Sequence, residues 1–578
     1  MNTRRVRIFS VGLTTLVLLA CSSTAPGGTT RSGDTNPGGG SAPAAQSGPS
    51  GTLKVAWATE PETLSPKLAS GSGLNEYNWV FNSTLTYYDF EGVVHPLIAK
   101  EIPTQENGGW VIRPDGTMTT TYHLRDNVTW HDGTPLTADD YVFAFQVYLS
   151  NDIPVRDRTP ETSMSGVEAA DPGTLVVNWA VPYIHANILG YQQLDPLPRH
   201  ILADKFARDH GTFVVGDEWT RSYVGTGPFR IESWNPGSGM IAKANPNWFM
   251  GPPKLATIDV RFVSDSNTIL ANLLSGEVDF INSPGVRGTD AVVAREQWVS
   301  KGQGYLKTWA VRMRYLEWQQ KPVPNWQQAL TDVRVRKGLE YAIDRQGLVD
   351  ALNQGLGTPA DTFILPADPA FGQVSQAVTK YPYDPQRAAA SLADAGYRAA
   401  QPGSPLLNAQ GQPLAIDVWT TAGDNGEKEI AIISDAWKAI GVGGGLFIIP
   451  SARQRDNELR QSFPGAETTA RSVSADNFIF TADNVPTAAN KYAGANRGGF
   501  SDPDVERLQH TVLTSFDDAE RTRATIALHQ RMTDVLGIGP LYYDVEVILA
   551  KNKVKGPVGN YGPQQGITWN IYDWSVSE

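Results

Sequence analysis

The chain has 578 residues, of which 41% are hydrophobic and 19% charged, a globular composition too long for one compact core. Its formal net charge of −12 opposes a polyanionic partner and argues against nucleic acid. The lone cysteine, Cys21, leaves no internal disulfide and no cysteine-based metal site.

Arg4, Arg5 and Arg7 open the chain, and an apolar run follows from Val11 to Ala20. That run is too short for a permanent bilayer span and reads as a signal peptide over residues 1–21. The ending Leu18-Leu19-Ala20-Cys21 resembles a bacterial lipobox, in which Cys21 would receive lipid and become the mature N-terminus. Acyl burial contributes about 0.8 kcal/mol per CH₂, so a lipidated Cys21 would hold the protein at a membrane surface. Residues 22–51 are almost all Ser, Thr, Gly, Pro, Ala, Asn and Gln, and are expected to form a flexible tether.

Leu53–Trp57 alternates like a first strand, Pro61 and Pro66 mark a loop, and 74–85 reads as a helix. Asp115-Gly116 lies between the strand-like runs Trp110–Arg113 and Met118–Leu124, which predicts a hairpin. After the turn cluster His131–Pro135, Thr137 and Asp140 have capping-box spacing before a helix expected to reach Leu149. Asp171–Thr174 is a turn before the strand Leu175–Trp179, and Gly225–Pro228 opens a strand at Phe229. Asp332–Ile343 has apolar residues at helical spacing. Asp384-Pro385 starts a helix that Gly396 ends, and Asp502-Pro503 starts another. Strands and helices interleave throughout, which means a mixed α/β protein.

The stretch Thr121–Asp140, with Trp130-His131-Asp132-Gly133-Thr134-Pro135 at its centre, resembles the signature of family 5 extracellular solute-binding proteins, the dipeptide- and oligopeptide-binding type. Further segments agree in order: Val224–Phe229, Asn245–Trp248, Leu274–Asp279, Asp332–Arg336, Tyr341–Arg345, Tyr381–Pro385, Gly499–Pro503 and Pro540–Tyr543. The resemblance runs from about residue 52 to the C-terminus. It implies a two-lobed periplasmic-binding-protein-like α/β fold (class II, cluster C type) with an extra small domain. Domain I would comprise 52–86, 166–281 and 541–578, domain II 87–165, and domain III 282–540. The chain would cross between lobes near 281 and 540.

The implied function is capture of a peptide between the lobes and its delivery to the permease and ATPase subunits of an ABC importer. The protein would be an exported, lipid-anchored monomer at the outer face of the cell membrane or in the periplasm, without cofactor or metal and without catalysis. A buried peptide zwitterion needs a partner for each end. The family meets the ammonium with an Asp and the carboxylate with Arg, Lys or His. The matching segment is Arg471–Phe478, with Arg471 and Asp476 near the expected places. The Trp that precedes the family's Asp is absent here, and Asp476 fits a turn cap or a solvated loop position equally well. Asp483 is a fallback and Arg460 a second candidate cation. On the first lobe Glu60, Asn75 and Tyr77 lie where relatives touch ligand, although core packing explains Tyr77 as readily. In the signature itself, Asp132-Gly133 reads as a tight turn and not as a catalytic or metal site. Two alternatives stay open: an oligosaccharide or other small solute bound by the same fold, and a secreted glycan- or peptide-processing enzyme. No Gly-x-Ser-x-Gly, His-Glu-x-x-His or phosphate-loop motif supports the second.

Overall fold

The computed structural model describes residues 48–577 apart from 69–73, 156, 402, 424, 475–477 and 562–565. The expected signal peptide with Cys21, most of the expected tether, and Asp476 lie outside the described residues. The first strand, β1 (Ser50–Trp57), begins inside the stretch expected to be tether, because Ser50 already pairs with Leu255. Helix α1 spans Leu74–Phe81 and stops short of the expected Leu85. There the chain turns away: the Ser83 amide donates to Thr226 Oγ1 at 3.0 Å, and the Ser83 hydroxyl to the Thr226 carbonyl at 3.0 Å.

The predicted hairpin forms from β2 (Trp110–Ile112) and β3 (Met118–His123), with Gly116 at φ +84° in the turn. Helix α2 (Ala138–Leu149) follows the capping box, in which Asp140 Oδ2 accepts from the Thr137 amide at 2.9 Å. Strands β4 (Met164–Asp171) and β5 (Thr174–Trp179) complete a four-stranded antiparallel sheet in the order β2-β3-β5-β4. A buried ion pair ties this region to the loop before α1: Lys67 Nζ meets Glu161 Oε2 at 2.7 Å, with the two side chains 1% and 0% exposed.

Apart from three two-stranded ribbons, the other strands build one long sheet. They are β6 (Phe229–Asn235), β7 (Gly239–Ala244), β8 (Leu255–Phe262), β9 (Phe280–Asn282), β10 (Gly304–Trp318), β11 (Val418–Thr421), β12 (Leu446–Ile449), β13 (Ala466–Arg471) and β14 (Ile538–Lys551). Their order is β12-β11-β13-β10-β14-β9-β1-β8-β7-β6, with Thr358–Pro359 added on β14. β1 runs parallel to β8 and β9, and β11 parallel to β12 and β13, whereas β10 and β14 are antiparallel.

The pair β10/β14 belongs to both halves of the sheet. Residues 304–310 pair with 545–551 beside β9, and residues 313–317 pair with 538–543 beside β13. The register slips between Ala310 and Arg312, where one half gives way to the other. Two apolar cores flank the first half of the sheet, two more the second, and two fill the space around the four-stranded sheet and α2. Among the described residues no helix is long and apolar enough to cross a membrane.

Candidate functional site

The passage between the halves carries charge. Asp544 and Glu546 lie two apart in β14 and so share one face of the strand. Arg312 Nη2 donates to Asp544 Oδ2 at 2.9 Å. Burial pushes the Glu546 carboxyl up to about 7; Arg312 opposes the shift and Asp544 adds to it. From the first turn of α1, Glu76 reaches the same place, 9% exposed. Its Oε1 accepts from Asn282 Nδ2 at 3.2 Å, and its Oε2 has no partner among the described residues. Burial first, and Glu546 second, push the Glu76 carboxyl up to about 8. Beside it lies a recess of about 10 Å³ between Trp57, Thr59, Glu76, Asn282 and Gly285.

On the other half, β13 ends at Arg471, opposite Met313 of β10. The Arg471 Nε is buried without a partner among the described residues. Its guanidinium stands near the Tyr315 hydroxyl, whose pKa burial raises and Arg471 partly restores. Behind it is a buried ionic cluster. Arg460 Nε donates to Glu467 Oε1 at 2.8 Å, Arg497 Nη1 approaches Glu467 Oε2 at 3.4 Å, and the Gly498 amide donates to Glu317 Oε1 at 2.8 Å. Burial pushes Glu317 up to about 7, with Arg497 opposing. Three arginines thus face two carboxyl groups, one of them poorly ionised. Among the described residues Arg471 forms no ion pair, unlike Arg460 and Arg497, which both meet Glu467.

A cavity of about 600 Å³ lies between distant parts of the chain. Trp110, His185 and Asn187 line one side, and Gln373, Phe516 and Arg521 the other. Its size is that of a small-ligand pocket. At its edge Trp110 and Phe516 meet edge to face, with ring centroids 5.5 Å apart and planes at 83°. Phe516 follows the helix Pro503–Thr514 of the far half, yet packs onto the core beneath the four-stranded sheet.

The structure places the sequence-predicted residues in differing surroundings. Glu60 is held by the turn between β6 and β7: its oxygens accept from Trp234 Nε1 at 2.7 Å and from the Gly237 amide at 2.8 Å. Tyr77 is 1% exposed, donates to the Thr59 carbonyl at 2.6 Å and packs edge to face on Trp57. Arg460 is bound to Glu467, and Asp483 is exposed in a short turn. The side chain of Asn75, like Asp476, is outside the described residues.

In the signature, Gly133 has φ +90° and Asp132 Oδ1 accepts from the Thr134 amide at 3.0 Å, so the tight turn forms. His131 is locked between Gly225 and Gly227, its Nδ1 accepting from the Gly225 amide at 3.1 Å, and burial pushes it down to about 4. Among the described residues no group of three His, Asp or Glu is placed to hold a metal.

Sequence reasoning missed Glu76, Asn282, Glu546, Glu317, Glu467 and Arg497. A signal existed for some of them. Asp544 and Glu546, and Arg312 and Arg314, are charges two apart in largely apolar strands, where burial makes an unpaired charge costly.

A sequence profile described as bacterial extracellular solute-binding proteins, family 5 Middle, matches residues 94–468, well over half of the chain. The oligopeptide-binding protein AppA of Bacillus subtilis (strain 168) is 28% identical over 335 residues, 57% of this chain and 58% of that protein. The match thus spans little more than half of that relative's length. The periplasmic oligopeptide-binding protein OppA of Salmonella typhimurium (strain LT2) is 23% identical over 529 residues, 87% of this chain and 88% of that one. Among solved structures, B. subtilis AppA in complex with a nonapeptide superposes with a TM-score of 0.65 at 21% identity, covering 91% of this chain and 99% of that one. The ABC transporter substrate-binding protein CtaP from Listeria monocytogenes gives 0.72 at 20% identity, covering 92% and 100%. At these identities the two structures establish likeness of fold.

Proposed function

Because this chain belongs to the bacterial extracellular solute-binding proteins of family 5 and has their two-lobed α/β fold, we propose that it captures peptides between its lobes and hands them unchanged to an ABC importer. The observation that carries this reading is the cavity of about 600 Å³ lined from distant parts of the chain, with Trp110, His185 and Asn187 on one side and Gln373, Phe516 and Arg521 on the other. A peptide is a zwitterion, and burial demands a partner for each end. In this reading Arg471 meets the carboxylate and Asp476 the ammonium. Arg460 acts indirectly, by holding Glu467 beside Arg497. Glu60 and Tyr77 fix the loop that carries Thr59, and Asn75 borders the ligand.

The proposed division assigns 52–86, 166–281 and 541–578 to the first lobe, 87–165 to the small domain and 282–540 to the second lobe. Bending would be absorbed where β10 and β14 pass between the halves of the sheet. Cys21 would carry lipid after removal of the signal peptide, with residues 22–51 as a leash and the monomeric body at the outer face of the membrane or in the periplasm. The permease and ATPase subunits would be its partners.

Native mass spectrometry of gently purified protein, followed by calorimetry with a peptide library, tests the proposal. The expected result is one bound peptide per chain, recovered intact. Cleaved peptide or glycan products would replace this reading with an enzyme. Saturable binding of oligosaccharide with no peptide binding would replace the ligand.

A further inference from the structure

We infer that the recess at Glu76 and Asn282, within the electrostatic reach of Glu546, is a subsite for a primary ammonium group, so that cationic solutes such as lysine-bearing peptides are preferred. The inference rests on reading the gap as the solute site. Three separate stretches of chain bring these groups together: the start of α1, the end of β9 and the middle of β14.

Asn282 is 4% exposed and spends its amide hydrogens on Glu76 Oε1 at 3.2 Å and on the Ser283 carbonyl at 2.6 Å. Its Oδ1 is left without a partner among the described residues, and so is Glu76 Oε2. Buried acceptors in this state call for a donor. Glu76 and Asn282 both line the recess of about 10 Å³. That volume holds a group the size of a water molecule, which suits an ammonium head and is too small for a guanidinium.

Among the described residues no lysine or arginine forms an ion pair with Glu76 or Glu546, and the nearby Arg312 is taken by Asp544 at 2.9 Å. Burial is the main cause of the high pKa of Glu76, and repulsion from Glu546 is the second, since neighbouring carboxyl groups suppress each other's ionisation. An ammonium ion placed between them would relieve it. The ammonium is that of a side chain: the α-ammonium of a peptide already has its proposed partner in Asp476.

Calorimetry on the full folded chain with Gly-Lys-Gly and with Gly-norleucine-Gly decides the matter, because the two peptides differ only in the ammonium group. The wild type is expected to bind the lysine peptide at least about tenfold more tightly. Glu76→Gln and Glu546→Gln keep side-chain volume and remove mutual repulsion, and each should bring the ratio to within about threefold. Equal wild-type affinities, as a recess holding only water would give, overturn the inference and leave peptide capture standing. A preference unchanged in both variants does the same. If neither peptide binds, n-butylammonium takes their place. Binding to the wild type that both variants lose sustains the subsite and removes the peptide reading, and no binding overturns both.

Discussion

Buried titratable groups set the pH response of this protein one residue at a time. Burial pushes Glu76 up to about 8 and Glu546, Glu317, Glu340 and Asp195 each up to about 7. Each of these holds its proton more tightly folded than unfolded. Their contribution is complete below the ordinary carboxyl range and is lost as pH rises through 7 and 8. His131 and His529 run the other way: burial pushes both down to about 4 from the ordinary 6.5, so they cost stability only as pH falls through that window. Between pH 7.5 and 8.5 the histidines are almost wholly neutral in both states and the carboxyl groups decide the sign. The melting temperature, followed by circular dichroism, should therefore fall across that interval, and Glu76→Gln should flatten the fall. A flat or rising melting temperature would contradict the assignment. At this scale the sequence singled out Arg471, half-buried and with an Nε that has no partner among the described residues, but gave no reason to notice Glu76, whose meaning comes from Asn282 and Glu546, more than two hundred residues away.

Elements were the most legible level, because their signals are local. Asp384 caps the helix Pro385–Asp394 by accepting from the Gln386 and Arg387 amides, and Gly396 follows at φ +94°. Asp502 does the same for Pro503–Thr514, and there also takes Arg531 at 2.7 Å. The helical spacing of Asp332–Ile343 is met by a helix over Val333–Tyr341, and a second helix starts just beyond it at Arg345 with Asp344 as its cap. The motif Gly225-Thr226-Gly227-Pro228 gains its reason from tertiary contact. A Cβ on Gly227 would lie 2.3 Å from the Phe81 carbonyl carbon and 2.5 Å from the Asn82 nitrogen, both backbone atoms at the end of α1. Gly227→Ala must push α1 off the strand that follows, and should destabilise the fold by about 1–3 kcal/mol or more. Urea unfolding measures this directly, and an unchanged midpoint would refute the close approach.

For the whole molecule, closure depends on more than the strands that join the halves. The Trp110–Phe516 contact adds a second point of attachment between the four-stranded sheet and the far half. An aromatic pair of this geometry contributes about 0.5–1.5 kcal/mol beyond its buried area. Phe516→Ala should shift the balance toward an open form and speed peptide release by up to about tenfold. Stopped-flow dissociation would show this, and an unchanged release rate would mean that the contact does not hold the gap shut.

The sequence alone determined the mixed α/β class, the caps and turns, and the ordered set of motifs that marks the family, since each of these is written in residues close together along the chain. The structure alone decided which charges meet: the halves pass into each other inside β10 and β14, and Glu76, Asn282 and Glu546 arrive from three separate elements. The reason is physical. Capping, turn geometry and strand alternation are short-range and leave a local pattern, whereas a buried carboxyl group takes its meaning from whatever long-range packing brings beside it.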